Sequence, residues 1–345
     1  MFALELFLIS VVSYLFVFLA IKNASKLDLY DVPNARSHHC NITPTGAGIA
    51  FISVFFLSII LLEFQLFIEN WYLFLAIFMI FVVGIVDDHS DVSPRLKFIV
   101  IFIAVILMWM FDVSIDHLGI WLGYDITLYP VLALLVTIFS LAGFTNALNL
   151  IDGLDGLSSS VTIVILTFFI FLGIEYNDAL IIVIASFSMA SLTGFLILNW
   201  HPAKIFMGDS GSLTLGFIIS LLSVLSIQYI HPVTILYLAA IPILDTLVVM
   251  VRRIRRGESP FSADKTHIHH ILVNFFDKDV KKTVYFMVIM QILFSATGYI
   301  ISENINSIKA YGLPIFALFG FFLISLMFYM IFTGMHKRQL LLDEK

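Results

Sequence analysis

Asp87 and Asp88 stand side by side directly after an apolar run, with Asp91 one turn further on. Two adjacent carboxylates at a membrane edge repel each other and are costly to desolvate. They make chemical sense where a cation or a proton is shared. The plainer reading is that they end a helix at the water interface. A second constellation, Asn146-Ala-Leu-Asn149-Leu-Ile-Asp152-Gly-Leu-Asp155-Gly, repeats an oxygen-bearing side chain every third residue. That spacing lines the four up on one face of a helical turn. Gly153 and Gly156 let the backbone approach a ligand or turn sharply, although Asn, Asp and Gly are also ordinary caps and turn formers. A third, Phe206-Met-Gly-Asp209-Ser-Gly-Ser212, sets a Gly-flanked Asp where an apolar run opens. There a carboxylate can face a metal while free N–H groups face phosphate, or Asp209 or Ser210 serves simply as an N-cap.

The segment 252–282 contains Arg252-Arg253-Ile-Arg255-Arg256 and then Asp264-Lys-Thr-His267-Ile-His269-His270. The arginines read as the positive stop of the preceding span. The histidines read either as a zinc site or, better, as hydrogen-bonding groups for phosphate or sugar. Zinc lacks a matched partner at metal-ligand spacing. A polar loop, Asp31-Val-Pro33-Asn34-Ala-Arg36-Ser-His38 and Pro44-Thr-Gly46-Ala-Gly48, precedes the second apolar run and reads as a substrate-facing loop or a plain connection. Asp245 lies inside an apolar run. An intramembrane carboxylate is either functional or a buried hydrogen bond between helices.

The elements that position these residues follow from composition. Of 345 residues, 61% are hydrophobic and 12% are charged, about half the usual ~25% charged share of a soluble domain. No soluble core of this size hides so much apolar surface, so a bilayer must act as solvent. The expected fold is all-α, a polytopic bundle forming one integral membrane domain over residues 1–345. Eleven candidate spans fall near 3–21, 46–62, 71–86, 97–114, 130–148, 159–174, 179–198, 213–229, 233–251, 283–301 and 312–332. The first has no basic segment before it and no small-residue cleavage site after it, so it reads as a span and not a removed signal. The single Cys40 excludes an intrachain disulfide and a Cys-based metal site.

Of the 18 Lys and Arg, all but Lys309 fall on one set of alternate loops. The positive-inside rule makes that set cytoplasmic. The N-terminus is then outside and the C-terminus inside. Every acid cluster and the histidines share the cytoplasmic face. Hard oxygen ligands favour Mg²⁺, with Mn²⁺ as a substitute, over soft metals. A divalent ion flanked by Lys and Arg suits a reaction between two phosphates. A site at the membrane surface implies that one phosphate is on a lipid. A transporter would instead set its acids in mid-membrane broken helices, a pattern that only Asp245 approaches. A structural anchor would leave the loop acids and histidines without purpose.

The sequence resembles the polyprenyl-phosphate N-acetylhexosamine-1-phosphate transferases, the superfamily that includes the peptidoglycan translocase. The matching pieces are Gly84-Ile-Val-Asp87-Asp88-His-Ser-Asp91 with Lys97 ten residues after Asp87, the Asn146–Gly156 stretch, Phe206–Ser212, and Ser259-Pro-Phe-Ser-Ala-Asp264-Lys-Thr-His267-Ile-His269-His270. They arrive in the family's order over roughly residues 31 to 272. The basic helix end followed by the histidine stretch is similar to the branch that uses UDP-N-acetylglucosamine.

The resemblance implies transfer of a sugar 1-phosphate from a UDP-sugar to undecaprenyl phosphate with release of UMP, the first membrane step of a cell-surface polysaccharide. A related donor, such as UDP-MurNAc-pentapeptide or a deoxy-N-acetylhexosamine, is the alternative. It further implies that Asp209 and Asn149 bind magnesium and that Asp87 and Asp88 are the essential acid pair. Lys97 then binds phosphate, and Asn146, Asp152 and Asp155 line the nucleotide and acid cluster. His267, as a catalytic group, closes over the pyrophosphate and sugar with His269 and His270, and Arg36 and Asn34 face the substrate. The implied setting is a bacterial inner membrane, with a homodimer suggested by relatives and no nucleic-acid partner. One departure is Pro44-Thr-Gly46-Ala-Gly48, where many relatives carry a glycine pair preceded by a bulkier residue.

Overall fold

Each of the eleven apolar runs carries helix in the computed structural model, which describes residues 1–27, 29–31, 42–90, 92–259, 267–305 and 312–343. In chain order come α1 (Phe2–Leu27), the strands β1 (Tyr30–Asp31) and β2 (Thr43–Pro44), α2 (Ala47–Leu62), α3 (Phe64–Glu69), α4 (Trp71–Ser90) and α5 (Pro94–Trp109). The strands β3 (His117–Trp121) and β4 (Tyr124–Thr127) precede α6 (Pro130–Ile151), α7 (Leu157–Glu175), α8 (Ala179–Asn199) and α9 (Asp209–Ser226). The chain continues through α10 (Pro232–Leu238), α11 (Ala240–Arg255), α12 (Ile268–Phe275), α13 (Val280–Ile305) and α14 (Leu313–Asp343).

The molecule is a polytopic helical membrane protein. Among the described residues eight helices are long and apolar enough to cross a membrane, and α10 with α11 makes a ninth if the bent pair counts as one span. The helices α2 and α5, at 16 residues each, fall short of the ~20 residues that a perpendicular span requires. By this measure the expected eleven spans number eight or nine. Beside the helices the described residues carry two short antiparallel strand pairs, β1–β2 and β3–β4. The second closes on Leu122-Gly123, both at positive φ, as a two-residue hairpin turn requires.

At the centre of the bundle lies α9. Every residue from Ser210 to Leu222 is buried, and α2, α4, α6, α7 and α8 pack around it. Its polar residues bond back along the helix, with Thr214 Oγ1 donating to Ser210 O and Ser220 Oγ to Gly216 O. Such i−4 bonds satisfy hydroxyls where no water reaches. The N-terminus of α9 therefore presents Asp209 at a fixed point among the ends of α4, α5 and α6.

The run 233–251 is one of the eleven expected spans. It breaks at Ala239 by 88°. Pro242 has no N–H to return to the carbonyl of Leu238, four residues back. Gln291 of α13 fills the gap. Its Nε2 donates to Leu238 O at 2.7 Å and its Oε1 accepts from Ile241 N at 3.0 Å, while Ser295 Oγ also donates to Leu238 O. The opened backbone is thus satisfied inside the protein, as hydrocarbon cannot satisfy it.

Candidate active site at the helix ends

The last turn of α4 carries Asp87 and Asp88, the first turn of α5 carries Lys97, and the last turns of α6 carry Asn146 and Asn149. Asp87, Asp88, Lys97 and Asn149 join one network at the first turn of α9. The Lys97 ammonium lies between two carboxylates, 2.7 Å from Asp87 Oδ2 and 2.5 Å from Asp209 Oδ2. Asn149 Nδ2 donates to Asp209 Oδ1 at 3.0 Å and to Ser212 Oγ at 2.9 Å. Asp87 Oδ1 accepts from Val92 N, which folds the α4–α5 turn back onto the acid. Four residues far apart in sequence thus form one charge-assisted network. The expected cytoplasmic loops 87–96, 149–158 and 199–212 are in part helix, since α4 runs through Ser90, α6 through Ile151, and α9 starts at Asp209.

Asp88 does something different from its neighbour. Its Oδ1 accepts from Asp209 N at 2.6 Å, and its Oδ2 accepts from Ser210 N at 3.2 Å and Ser210 Oγ at 2.5 Å. Neither Asp209 nor Ser210 caps its own helix. The cap comes from α4, and Gly208, at φ 76°, shows no side-chain cap bond. A Cβ on Gly208 would strike the Asp88 carboxylate. The loop around Gly46 also proves structural. Phe206 N donates to Pro44 O, Ala47 N to Phe206 O and Gly48 N to Met207 O, strapping the approach to Asp209.

The third-residue repeat does not stay on one helical face. The helix α6 ends at Ile151, and Asp152 is its C-cap at ψ 48°. Gly156, at φ 73°, then turns the chain into α7. Asp155 Oδ2 accepts from His201 Nδ1 at 2.7 Å and from Ala203 N at 3.0 Å, so it ties down the α8–α9 loop. Sequence reading missed His201, and nothing in its spacing signals this contact. Asn146 is half-buried on α6. The Asp152 carboxyl makes no hydrogen bond among the described residues, while its N–H donates to Asn149 O. Burial pushes its carboxyl up to about 7, and repulsion from Asp209, Asp88 and Asp155 adds to the rise.

The histidines reach the same place from the other side. Their rings cluster, with His267 stacked on His269 at 5.5 Å and His269 at 4.2 Å from His270. His269 packs so closely on Gly153 that a Cβ there would overlap its Nε2. Asp245, fully buried on α11, meets His267 Nδ1 at 2.5 Å through Oδ2 and accepts from Ile268 N at 2.5 Å through Oδ1. One ligand atom each from Asp245, His267 and His269 fall within 4.8 Å of one another. Within that group hydrogen bonds join Asp245 to His267 and Ile268, and His269 stacks on His267. The arginine run is not a simple solvated stop. Arg252 and Arg253 are buried, and Arg252 Nε donates to Thr333 Oγ1 of α14. Asn34, Arg36, Asp91 and Asp264 lie outside the described residues.

Residues 70–227 match the family described as Glycosyl transferase family 4. A protein of Yersinia pestis is 32% identical over 282 residues, covering 78% of this chain and 76% of its own. One of Salmonella typhi is 32% identical over 283 residues, with the same coverage. One of Escherichia coli strain K12 is 31% identical over 272 residues, covering 75% and 73%. All three are named undecaprenyl-phosphate alpha-N-acetylglucosaminyl 1-phosphate transferase. The chain belongs to this family. It is a phosphoglycosyl transferase. The family match holds Asp87, Lys97, Asn149 and Asp209 but stops before Asp245 and the histidines.

The transferase's donor set fits a hard divalent cation. Of the carboxylates Asp87, Asp88, Asp152 and Asp209, only Asp87 and Asp209 pair with the Lys97 ammonium among the described residues. Asn149 spends its NH₂ on Asp209 and Ser212, and its carbonyl oxygen has no donor among the described residues. Burial raises the Asp152 pKa first, and the charges of Asp209, Asp88 and Asp155 add repulsion to it. A cation of this class binds carboxylate and amide oxygens and would relieve that repulsion.

Proposed function

We propose that the transferase moves N-acetylglucosamine 1-phosphate from its UDP-sugar to undecaprenyl phosphate, giving the undecaprenyl-pyrophosphoryl sugar and UMP. The observation that carries this reading is the Lys97 ammonium held between Asp87 and Asp209 beside Asn149. An oxygen of the lipid phosphate bonds to the β-phosphorus of the nucleotide sugar. The bond from that phosphorus to the bridging oxygen breaks, and UMP leaves with the oxygen.

Each residue has a part in this reading. Asp87 accepts the proton that the acceptor phosphate still carries. Lys97 meets phosphate charge. Asp152 and Asn146 border the nucleotide. Asp209 and Asn149 would hold Mg²⁺ or Mn²⁺, which when bound neutralises charge between the two phosphates. Asp88 works by fixing Asp209 in place, and Asp155 by fixing the loop that leads to it. His267, His269 and His270 close the site over the sugar and pyrophosphate.

The setting we propose is a bacterial inner membrane with the site on the cytoplasmic face, the N-terminus outside and the C-terminus inside. The one-sided placement of Lys and Arg supports it. Eleven spans fit this orientation if α2 and α5, each ~24 Å long at 1.5 Å per residue, cross a locally thinned or partly shielded bilayer.

The test uses membranes containing the protein, undecaprenyl phosphate, Mg²⁺ and a panel of labelled UDP-sugars. The expected outcome is label from UDP-N-acetylglucosamine in the lipid fraction with stoichiometric UMP. Label from another UDP-N-acetylhexosamine would revise the donor. No lipid-bound label from any donor would overturn the reading.

A further inference from the structure

We propose that Asp245 is a positioning residue for His267, fixing which imidazole nitrogen carries the proton and which faces the substrate. The inference rests on the transfer reading above. Asp245 lies on α11 and His267 begins α12, 22 residues later in the chain. Asp245 is completely enclosed, and His267 nearly so. A carboxylate buried in an apolar run is expensive unless it is fully hydrogen-bonded. Here both oxygens are engaged, Oδ1 by the Ile268 N–H and Oδ2 by the imidazole.

A cap alone does not account for this acid. Ile268 N–H is one of the donors that open α12 without a partner inside the helix, and a neutral acceptor would satisfy it. A Ser, Thr or Asp at the N-cap, position 267, would serve the later donors of that turn. The chain instead has a histidine there, with no side-chain cap bond of its own. The acceptor comes from another helix. What a carboxylate adds beyond a cap is its action on the ring. An ionised carboxylate only accepts hydrogen bonds, so His267 Nδ1 must be the donor. In the neutral ring Nε2 is then the bare nitrogen, directed away from α11.

The rest of the ring's surroundings point toward the acid loop. His267 stacks on His269, at 5.5 Å and 22° between planes, and His269 rests on Gly153, next to Asp152. Asp245 thus governs, at one remove, the face that closes on the site. Asparagine at 245 keeps an oxygen for the Ile268 N–H. It then turns an NH₂ toward Nδ1, which stabilises the opposite tautomer.

The test is a double-mutant cycle in the full-length protein, with turnover measured at saturating UDP-sugar. Asp245→Asn is expected to lower kcat at least ~100-fold with KM for the UDP-sugar within a few-fold. In the His267→Ala background the same change is expected to cost nothing further. Asp245→Glu is expected to recover part of the loss. A multiplicative loss in the double variant, or wild-type turnover in Asp245→Asn, would overturn the proposal. Nitrogen-15 spectra of histidine-labelled wild-type protein at alkaline pH give a readout that needs no variant. Protonated Nδ1 on His267 supports the assignment, and protonated Nε2 with bare Nδ1 defeats it. If wild-type protein transfers no sugar phosphate at all, the transfer reading fails, and the spectra still decide the pairing.

Discussion

The Asp88 carboxylate caps the helix that begins at Asp209, reaching across from α4 to accept both Asp209 N–H and Ser210 N–H. Adjacent acids in the sequence therefore divide their labour. Asp87 faces Lys97, and Asp88 holds the backbone that presents Asp209. In Asp88→Asn one acceptor becomes an NH₂ that confronts the Ser210 N–H and hydroxyl. A lost charge-assisted bond with an unsatisfied donor amounts to about 1–3 kcal/mol. Thermal unfolding in detergent should show a lower midpoint together with lost turnover. An unchanged midpoint with full turnover would remove the capping role.

Lys97 should be as necessary as the acids it joins. Lys97→Met leaves Asp87 and Asp209 facing each other without a counter-charge. One preorganised charge at a phosphoryl-transfer site is commonly worth ~100-fold or more in rate. The expected result is at least that loss, with Lys97→Arg only partly active because a planar guanidinium cannot take the same point position. Asp209→Asn should abolish turnover and weaken Mn²⁺ binding in calorimetric titration while the protein still inserts. Normal turnover in Asp209→Asn would remove the metal assignment.

Asp152 gives a pH signature in metal-free protein. Its folded-state pKa of about 7 lies above the ordinary 3.8. The folded form therefore binds more protons than the unfolded form between those values, and stability falls as pH rises through that window. Below about 4 the contribution is fully present, and above about 7 it is lost. Melting in chelator from pH 4 to 8 should slope downward for wild type and less so for Asp152→Asn. Divalent cation should release a proton on binding near pH 7. Equal slopes for the two proteins would contradict the Asp152 assignment.

Much of the bundle was legible because apolar run length needs no tertiary context. All eleven runs carry helix, and the motif order placed Asp87, Lys97, Asn149 and Asp209 together before any geometry was known. What failed to show depends on contacts across the chain. The break at Ala239 had a local signal in Pro242, but its repair by Gln291 lies 50 residues away. The third-residue repeat predicted a single face because spacing alone does not reveal that α6 stops at Ile151. Asp88 looked like Asp87 because sequence shows residue type and not which donor comes to meet it. Asp245 was visible as an odd acid in an apolar run, while its partners on α12 were not.

The welded ends of α4 and α9 have a dynamic consequence. Asp88 bonds directly to the backbone that carries Asp209, and Lys97 bridges Asp87 to the same acid. These groups move as one body. On the histidine side, His269 packs on Gly153 of the acid loop and α11 packs against α6. A displacement of α4 against α9 would break the Asp88 bonds and the Lys97 bridge together, so the distance between Asp87 and Asp209 is set by how these two helices seat on each other.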